Sequence, residues 1–486
     1  MRNLNLIYKY KRLPVSVRAS LWFVVCSVLQ KGIAFLTTPI FTRLMSTEQY
    51  GQVTIYNSWV EVFTIFATLN LFYGVYNNAL TKYPNDKDVA TSSMQGLCTT
   101  MTIAAFCIYL ILQEWINKLT GMSTIMTCFL FLEVLFIPAF RFWAAKQRFE
   151  YKYKLLVVLT LLISVLTAGL GVPAVILSQE KGIAKILTSV GSQILIGLCL
   201  YILIFSRGKS FFNKKYWKWA LAFNLPLIPH YLSAVVLNQS DRIMINNMVG
   251  TSEAGIYGLA YTIGALVIIF NEAIMNTFTP WTYQHLKASQ YGKIKSVSAF
   301  LVIFIAVISL SLVIIAPEIM WVLGGEKYAD GVWIIAPIAA SIFFRFLYAM
   351  YGNVEFYYEK NYFIMIASVV TALINIGLNY VFIKMYGYLA AGFTTLACFA
   401  IYALSHYVFS NRIVKQKCEG NDVYNNKLIL IISLLVIVLS CLAMMLFNYW
   451  YIRYSLVALI LIIGILFRKK ITATFMQIRN KGGQNV

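Results

Sequence analysis

Long apolar runs separated by short polar segments recur along the whole chain. Each run has about 20 residues, the length that a helix needs to cross the hydrocarbon core of a bilayer. The first is Ala19–Thr42, the second Asn57–Tyr76, the seventh Trp219–Leu237 and the last Trp450–Phe467. The pattern predicts an all-α polytopic membrane protein with about fourteen transmembrane helices.

The composition supports this prediction. Hydrophobic residues make up 60% of the 486 residues and charged residues only 12%, whereas soluble proteins carry about 25% charge. The net charge of +22 would suggest nucleic acid in a soluble protein. Here most Lys and Arg residues fall in loops on one predicted side and in both terminal tails. By the positive-inside rule that side is cytoplasmic, so we expect both termini in the cytoplasm, and no nucleic-acid partner.

Two similar turns indicate an internal repeat. STEQYGQV (Ser46–Val53) and GTSEAGIY (Gly250–Tyr257) align when Gly51 is set on Gly255, and the offset is six predicted spans. Two parallel six-helix repeats are typical of transporters. The predicted segments are an N-terminal lobe, a C-terminal lobe and two added helices, at residues 1–210, 211–412 and 413–486. External loops are short, so function is expected among the helices.

Polar residues form stripes on helices of both lobes. In the first span Ser27, Lys31 and Thr38 recur at helical spacing. The matching stripe of the seventh span consists of Asn224, Tyr231, Asn238 and Arg242. Such stripes predict a hydrated interior, although polar stripes also serve simply to pack one membrane helix against another.

Ionisable residues inside the spans are costly to insert and often functional. The cations considered for substrate binding are Lys31, Arg242 and Arg345, and the acids considered for proton or sodium coupling are Glu61, Glu133, Glu272 and Asp241. Asp241 and Arg242 are expected near the outer mouth, and the others inside the spans. Pairing between Glu272 and Arg345, or snorkelling of either side chain, is an equal alternative to ligand contact. Lys31 has no acid on its own helical face, which makes it the strongest candidate.

Three prolines interrupt helices of corresponding position in the two lobes. They are Pro39 in the first span and Pro226 and Pro229 in the seventh. Proline removes a backbone donor and kinks a helix. Kinks in these paired helices suit a rocking transporter, and static kinks are an equally good interpretation.

The sequence shows no catalytic constellation. The three histidines have no cysteine or acid at metal-ligand spacing, the eight cysteines form no CxxC pair, and no phosphate-binding loop is present. We therefore expect no enzyme activity, no metal and no cofactor. The energy source is predicted to be an ion gradient or the gradient of the substrate itself.

Two segments resemble a known family. QKGIAFLTTPIFTRLMSTEQYG (Gln30–Gly51) and FNLPLIPHYLSAVVLNQSDRIMINNMVGTSEAGIY (Phe223–Tyr257) are similar to the openings of the two halves of bacterial polysaccharide biosynthesis proteins of the O-antigen and capsule flippase (Wzx) type. These proteins belong to the multidrug/oligosaccharidyl-lipid/polysaccharide exporter superfamily. The resemblance extends in layout over the whole chain.

The resemblance implies a fold and a substrate. It implies two lobes in an inverted V, as in MATE transporters, that open alternately to each side of the membrane. The implied cargo is an undecaprenyl-pyrophosphate-linked oligosaccharide, flipped to the outer leaflet for capsule, O-antigen or exopolysaccharide synthesis. Lys31, Arg242 and Arg345 would then offset the pyrophosphate charge. Membrane lipids and other polysaccharide assembly proteins are the further partners that the resemblance suggests.

Two other functions remain open from the sequence. A cation-coupled multidrug exporter of the same fold typically binds its cation through acids in one lobe, whereas the first helix here carries Lys31. A polysaccharide polymerase or ligase usually needs a sizeable external loop, which this chain lacks. A non-transporting scaffold would have no need of buried charges.

Overall fold

The computed structural model describes residues 14–418, 420–469, 472–474 and 476, and every regular element in these ranges is a helix. Much of the basic tails on which the topology prediction rests lies outside the described residues. The tail residues concerned are Arg2, Lys9, Lys11, Arg12, Lys470, Arg479 and Lys481.

The chain divides into two compact units, residues 1–235 and 236–486. The helices of the first unit are α1 (Val15–Leu44), α2 (Thr47–Thr68), α3 (Gly74–Lys82), α4 (Lys87–Ile111), α5 (Gln113–Thr120), α6 (Thr124–Phe149), α7 (Tyr153–Leu177), α8 (Lys181–Gly208) and α9 (Lys214–Asn224). Helix α10 (Ile228–Met248) contains the boundary. The helices of the second unit are α11 (Thr251–Gly264), α12 (Val267–Lys287), α13 (Tyr291–Ile314), α14 (Ala316–Gly324), α15 (Val332–Tyr357), α16 (Asn361–Tyr386), α17 (Ala390–Lys417), α18 (Asn426–Met445) and α19 (Trp450–Leu466). The predicted three-segment division stays a prediction.

Eleven helices of the described residues are long and apolar enough to cross a membrane. The bent pair α11 and α12, which meet at 42°, makes a twelfth if it counts as one span. Helices α2 and α19 occupy the positions of the second and the last predicted spans. Helix α2 does not pass the same test, and α19 has only 17 residues. The all-helical multi-pass fold is thus present, and the count of fourteen is not confirmed.

Helix α2 is displaced from the predicted second span, Asn57–Tyr76. It begins after Ser46, which accepts a hydrogen bond from the backbone N–H of Gln49, while the Gln49 side chain bonds back to Ser46. This capping box starts the helix early. Leu69 and Asn70 both have a φ of 52°, a left-handed conformation that ends the helix.

The two turns of the repeat occupy equivalent positions. Gly250 precedes α11 as Ser46 precedes α2, and the aligned residues Gly51 and Gly255 are both buried. The seventh predicted span is interrupted as the prolines suggested, because α9 ends at Asn224 and a single 3-10 turn, Leu225–Leu227, precedes α10. A role for this break in motion stays a prediction.

Each unit has its own apolar core. In the first unit the core gathers around Phe142 of α6 and Tyr76 of α3, whose ring centroids lie 4.8 Å apart. In the second unit α15 is central, and 72% of the residues in its most apolar stretch are buried. Helices α11, α12, α13, α17 and α18 all pack against it. Polar side chains on α15 and its neighbours are therefore held by rigid elements.

Candidate functional site

The carboxylate of Asp241 is the centre of a buried polar network in the second unit. Its Oδ2 accepts hydrogen bonds from the hydroxyls of Tyr257 at 2.5 Å and Thr395 at 2.6 Å, and its Oδ1 accepts one from Asn379 Nδ2 at 2.6 Å. These donors lie on α11, α17 and α16, whereas Asp241 lies on α10. Asp241 is 1% exposed, so four helices enclose one carboxylate.

The network continues on both sides of Asn379. Its Oδ1 accepts from the Thr394 hydroxyl, and Asn375 Oδ1 accepts from Ser240 at 2.7 Å. Carboxylate, amide and hydroxyl oxygens are the ligands that hard cations prefer. The arrangement can therefore hold a small cation or a proton at Asp241. Of the network, only Asp241 was singled out from the sequence, because its partners are neutral residues on other helices.

The structure brings Arg242 and Arg345 together around Asn238. Arg345 donates to Asn238 Oδ1 at 3.1 Å, and Arg242 donates to the backbone oxygen of Asn238 at 2.8 Å and to Gln239 Oε1 at 2.5 Å. The Arg242 guanidinium also lies 4.2 Å from the ring centroid of Tyr261. Two positive groups are thereby held near one polar side chain, a geometry suited to a phosphate oxygen.

Glu272 and Glu61 occupy similar settings. Both are exposed, Glu272 interacts electrostatically with Arg345, and Glu61 does so with Arg141. The alternative that Glu272 pairs with Arg345 is thus supported by their proximity.

Glu133 joins three helices of the first unit. Its Oε2 accepts from the Tyr56 hydroxyl of α2 at 2.8 Å, and its Oε1 accepts from Gln193 Nε2 of α8 at 2.7 Å. The carboxyl is 4% exposed. Each oxygen therefore has a neutral donor, and the arrangement stabilises the packing of α2, α6 and α8.

The polar stripe of the first helix divides into different environments. Lys31 and Ser27 are exposed, and Thr38 is partly buried with its hydroxyl donating to the Ala34 carbonyl at 2.8 Å. Lys31 is thus presented on the surface of α1 rather than enclosed in the core of its unit.

Two residues of the other stripe contact the turn after α2. The Asn224 side chain is fully buried and donates to the carbonyl oxygen of Leu69. The Tyr231 ring lies edge-on to that of Tyr73, with centroids 6.0 Å apart. Both residues fix the non-helical segment between α2 and α3, which gives them a packing role.

Two charged pairs were missed from the sequence. Glu355 of α15 contacts His406 of α17, and Glu318 of α14 contacts Arg453 of α19. Glu355 follows the predicted end of its span, whereas Arg453 lies in the first turn of the last predicted span and was not singled out among the intramembrane charges. The sequence signal that could have pointed to these pairs is a single charged residue in or beside an apolar run.

Comparison with known proteins gives the following matches. The profile of the family described as "Polysaccharide biosynthesis protein" matches residues 16–281, more than half of the chain. A protein of the Lsg locus of Haemophilus influenzae is 25% identical over 376 residues, covering 73% of this chain and 88% of that protein. An uncharacterized membrane protein of the same organism is 22% identical over 378 residues, covering 74% and 89%.

Solved structures of two transporters share the fold. "Lipid II flippase MurJ, inward closed conformation" matches with a TM-score of 0.64 at 16% identity, covering 93% of this chain and all of that one. An inward-facing multidrug resistance MATE family transporter of the MOP superfamily matches with a TM-score of 0.60 at 11% identity, covering 83% and 99%. The predicted fold class is confirmed.

Proposed function

The chain belongs to the polysaccharide biosynthesis protein family, and on that premise we propose that it flips polyprenyl-pyrophosphate-linked oligosaccharide units across a bacterial inner membrane. The lipid-linked oligosaccharide moves from the cytoplasmic to the outer leaflet by alternating access. Both termini of the protein are cytoplasmic. The protein acts as a transporter rather than an enzyme. Support comes from the family match, the multi-pass helical fold and a fold shared with a lipid II flippase.

The observation that carries the proposal is the pair of arginines around Asn238. Two like charges in a partly buried place repel each other, and an anionic ligand relieves that repulsion. A guanidinium has five N–H donors in a planar fork, which matches phosphate oxygens better than a lysine ammonium does. Arg242 and Arg345 are thus assigned to the pyrophosphate. The exposed Lys31 of α1 is proposed separately, as an anion-binding residue of the first unit.

Ion coupling is assigned to Asp241. Glu61 and Glu272 are exposed beside arginines, and both oxygens of Glu133 are bonded by neutral donors. Asp241 differs because neutral oxygen-bearing side chains from three other helices surround it. A cation bound there would connect α10, α11, α16 and α17, and its release would loosen them.

The transport proposal is tested with the full-length protein in liposomes that carry a lipid-linked oligosaccharide, whose appearance in the opposite leaflet is detected with a lectin. Arg242→Ala and Arg345→Ala should each slow translocation about tenfold or more, since one charge-assisted hydrogen bond contributes about 1.5–3 kcal/mol. Arg345→Lys should retain part of the activity. Arg412→Ala, which removes an exposed arginine of the same unit, is the control. Wild-type rates in both alanine variants would contradict the assignment.

The coupling assignment is tested in the same liposomes. An imposed sodium or proton gradient should accelerate the wild type and should not accelerate Asp241→Asn, because the asparagine keeps the volume and loses the charge. Glu61→Gln and Glu272→Gln are the comparison variants and should still respond. If Asp241→Asn responds as the wild type does, coupling resides elsewhere.

The runner-up function is multidrug export, since a MATE transporter shares the fold. Drug efflux from the same liposomes, without lipid-linked oligosaccharide flipping, would favour it.

The proposed topology has its own test. Reporter fusions at Lys209 and Lys415 should report cytoplasm and fusions at Lys118 and Lys327 the outside, and an outside signal at Lys209 would refute the orientation.

A further inference from the structure

Glu355 and His406 form a buried acid–imidazole pair that the proposed function does not use. Glu355 lies in the last turns of α15, and His406 lies in the second half of α17. His406 Nδ1 and Glu355 Oε2 are 2.8 Å apart, a hydrogen-bond distance, and the two side chains are 1% and 0% exposed. The pair is thus sealed from solvent on all sides in this conformation.

Aromatic rings surround the imidazole. Its ring centroid lies 4.7 Å from that of Tyr402, 5.7 Å from Tyr348 and 6.2 Å from Phe363. Such rings exclude water and give the site a low local dielectric. In that setting the interaction of the two groups is stronger than it would be in water.

The charged and titratable groups near the pair are few. They comprise Tyr348 on α15, Tyr402 on α17 and Tyr424 before α18, which interacts with Glu355. One step further out, Arg345 interacts with Tyr402, and Tyr351 and Tyr283 interact with Tyr424. Helix α16 contributes Phe363 and the hydroxyl of Ser368, which bonds with Tyr402. Of these, Arg345 is the charged one, and it interacts with Tyr402 rather than with Glu355 directly. The charge of the pair is therefore balanced chiefly within the pair.

Two atoms of the pair have no hydrogen-bond partner among the described residues. They are Glu355 Oε1 and His406 Nε2, both with almost no accessible surface. Buried polar atoms without partners are rare in folded proteins and call for an explanation. A group that must accept or release a proton at another stage of its working cycle provides that explanation.

Charge balance determines what the pair can hold. With one shared proton, as carboxylate with imidazolium or as carboxyl with imidazole, the pair is neutral. Loss of that proton to water, as hydronium, leaves carboxylate and neutral imidazole with a net charge of −1 in an apolar interior. Such a change is unfavourable unless water or a counter-ion enters at the same time.

We propose that Glu355 and His406 are an occluded proton-binding site, which exchanges its proton with water only when the aromatic side chains around it admit water. The proton lies between Nδ1 and Oε2, and Glu355 Oε1 and His406 Nε2 are the atoms that meet water on opening. Because α15 also carries Arg345, proton release and the arginine pair are linked through one helix. That link to transport rests on the proposed function, whereas proton occlusion does not.

The three histidines of the chain make the site directly observable. Selective ¹⁵N labelling of histidine in the full chain in nanodiscs yields signals from His230, His285 and His406 alone, and His406→Gln assigns the third. In the wild type the His406 N–H should exchange slowly with D2O, because the ring is 1% exposed and enclosed by aromatic side chains. In Glu355→Gln, which preserves the side-chain volume, that N–H should exchange rapidly, because the carboxylate that holds its proton is gone.

A matched control is available in His285, a second buried histidine of this unit, whose Nδ1 contacts the Trp281 carbonyl at 2.8 Å. His285→Gln should leave the His406 signal unchanged. If the His406 signal is the same in the wild type and in Glu355→Gln, or exchanges rapidly in both, the proposal is overturned. These measurements need no substrate, so they remain decisive even if the transport proposal fails, and the wild-type exchange rate decides even if one variant does not fold.

The link to transport has a separate readout. Translocation in liposomes should depend on pH in the wild type and in His285→Gln, and the dependence should be flattened in His406→Gln and Glu355→Gln. An unchanged pH profile in both pair variants would refute the link to transport.

Discussion

Replacement of Arg453 by methionine is expected to lower the free energy of unfolding by about 2 kcal/mol. The Arg453 side chain of α19 is 5% exposed. Its Nη1 donates to the carbonyl oxygen of Ile314 at 2.9 Å and to Glu318 Oε2 at 2.6 Å. Methionine retains much of the apolar stem and has no N–H, so both acceptors lose this donor.

The magnitude follows from these two bonds. A hydrogen bond to a charged group contributes about 1.5–3 kcal/mol and a bond between neutral groups about 0.5–1.5 kcal/mol. The Glu318 side chain is 33% exposed, so water replaces part of the lost interaction. The net loss is about 2 kcal/mol, or roughly a thirtyfold change in the unfolding equilibrium.

The contribution of Glu318 depends on pH. Burial acts to raise the pKa of this carboxyl, but the hydrogen bond and the charge of Arg453 outweigh burial, and the pKa lies below its ordinary value of 4.5. Because the folded-state pKa is depressed, the stabilisation is fully present above the ordinary value. It is lost as the pH falls through the lower, folded-state pKa. Glu318→Gln should remove this acid-side loss.

Denaturant unfolding of the purified protein, followed by tryptophan fluorescence, measures both effects. Tyr454→Phe is the matched control, because the exposed Tyr454 donates to the other Glu318 oxygen at 3.1 Å and its loss should matter less. The reasoning is refuted if Arg453→Met is as stable as the wild type at neutral pH. It is also refuted if the acid-side loss persists unchanged in Glu318→Gln.

Three further predictions concern the first unit. Lys31→Ala should fold at the wild-type level, because the side chain is exposed. It should flip lipid-linked oligosaccharide more slowly in liposomes, and normal flipping would show that Lys31 does not bind the anion. Glu133→Leu should cost about 1–3 kcal/mol in denaturant unfolding, because two buried donors lose their acceptor, and wild-type stability would contradict this. Gly96→Ala should reduce thermal stability, because the added Cβ would clash with the backbone of Phe211. Gly169→Ala should be neutral or stabilising, because the space around this glycine is open. Equal melting temperatures of the two variants would contradict the packing argument.

Hydropathy predicted the fold class because the bilayer imposes one requirement on every span. Backbone groups in lipid must bond within their own segment, so a run of about 20 apolar residues has to be helical. The exact bounds depend on local chemistry instead. Helix α2 begins ten residues before the predicted span because of the Ser46–Gln49 capping box, and it ends at Leu69 because the backbone turns left-handed there.

The candidate site was predicted in part. Helical spacing put Asn238 and Arg242 on one face, and the structure shows that Arg345, already a candidate cation from the sequence, contacts Asn238 from 107 positions away. The same spacing also selected Asn224 and Tyr231, which contact the turn after α2. Periodicity identifies a polar face and does not say whether that face meets a backbone carbonyl or a ligand, because both satisfy the same donors.

Buried charges show where sequence reasoning stops. A charge in an apolar span needs compensation, so Asp241 and Arg453 each imply a partner somewhere in the fold. The chosen partners differ in kind: Arg453 is met by the acid Glu318, whereas Asp241 is met by neutral groups such as Asn379, 138 positions away. A search for opposite charges would find Glu318 for Arg453 but only the adjacent Arg242 for Asp241, and it would miss the hydrogen-bond donors on the other helices. The identity of a partner is determined by which helices pack together, because neutral hydrogen-bond donors as well as cations stabilise a buried carboxylate.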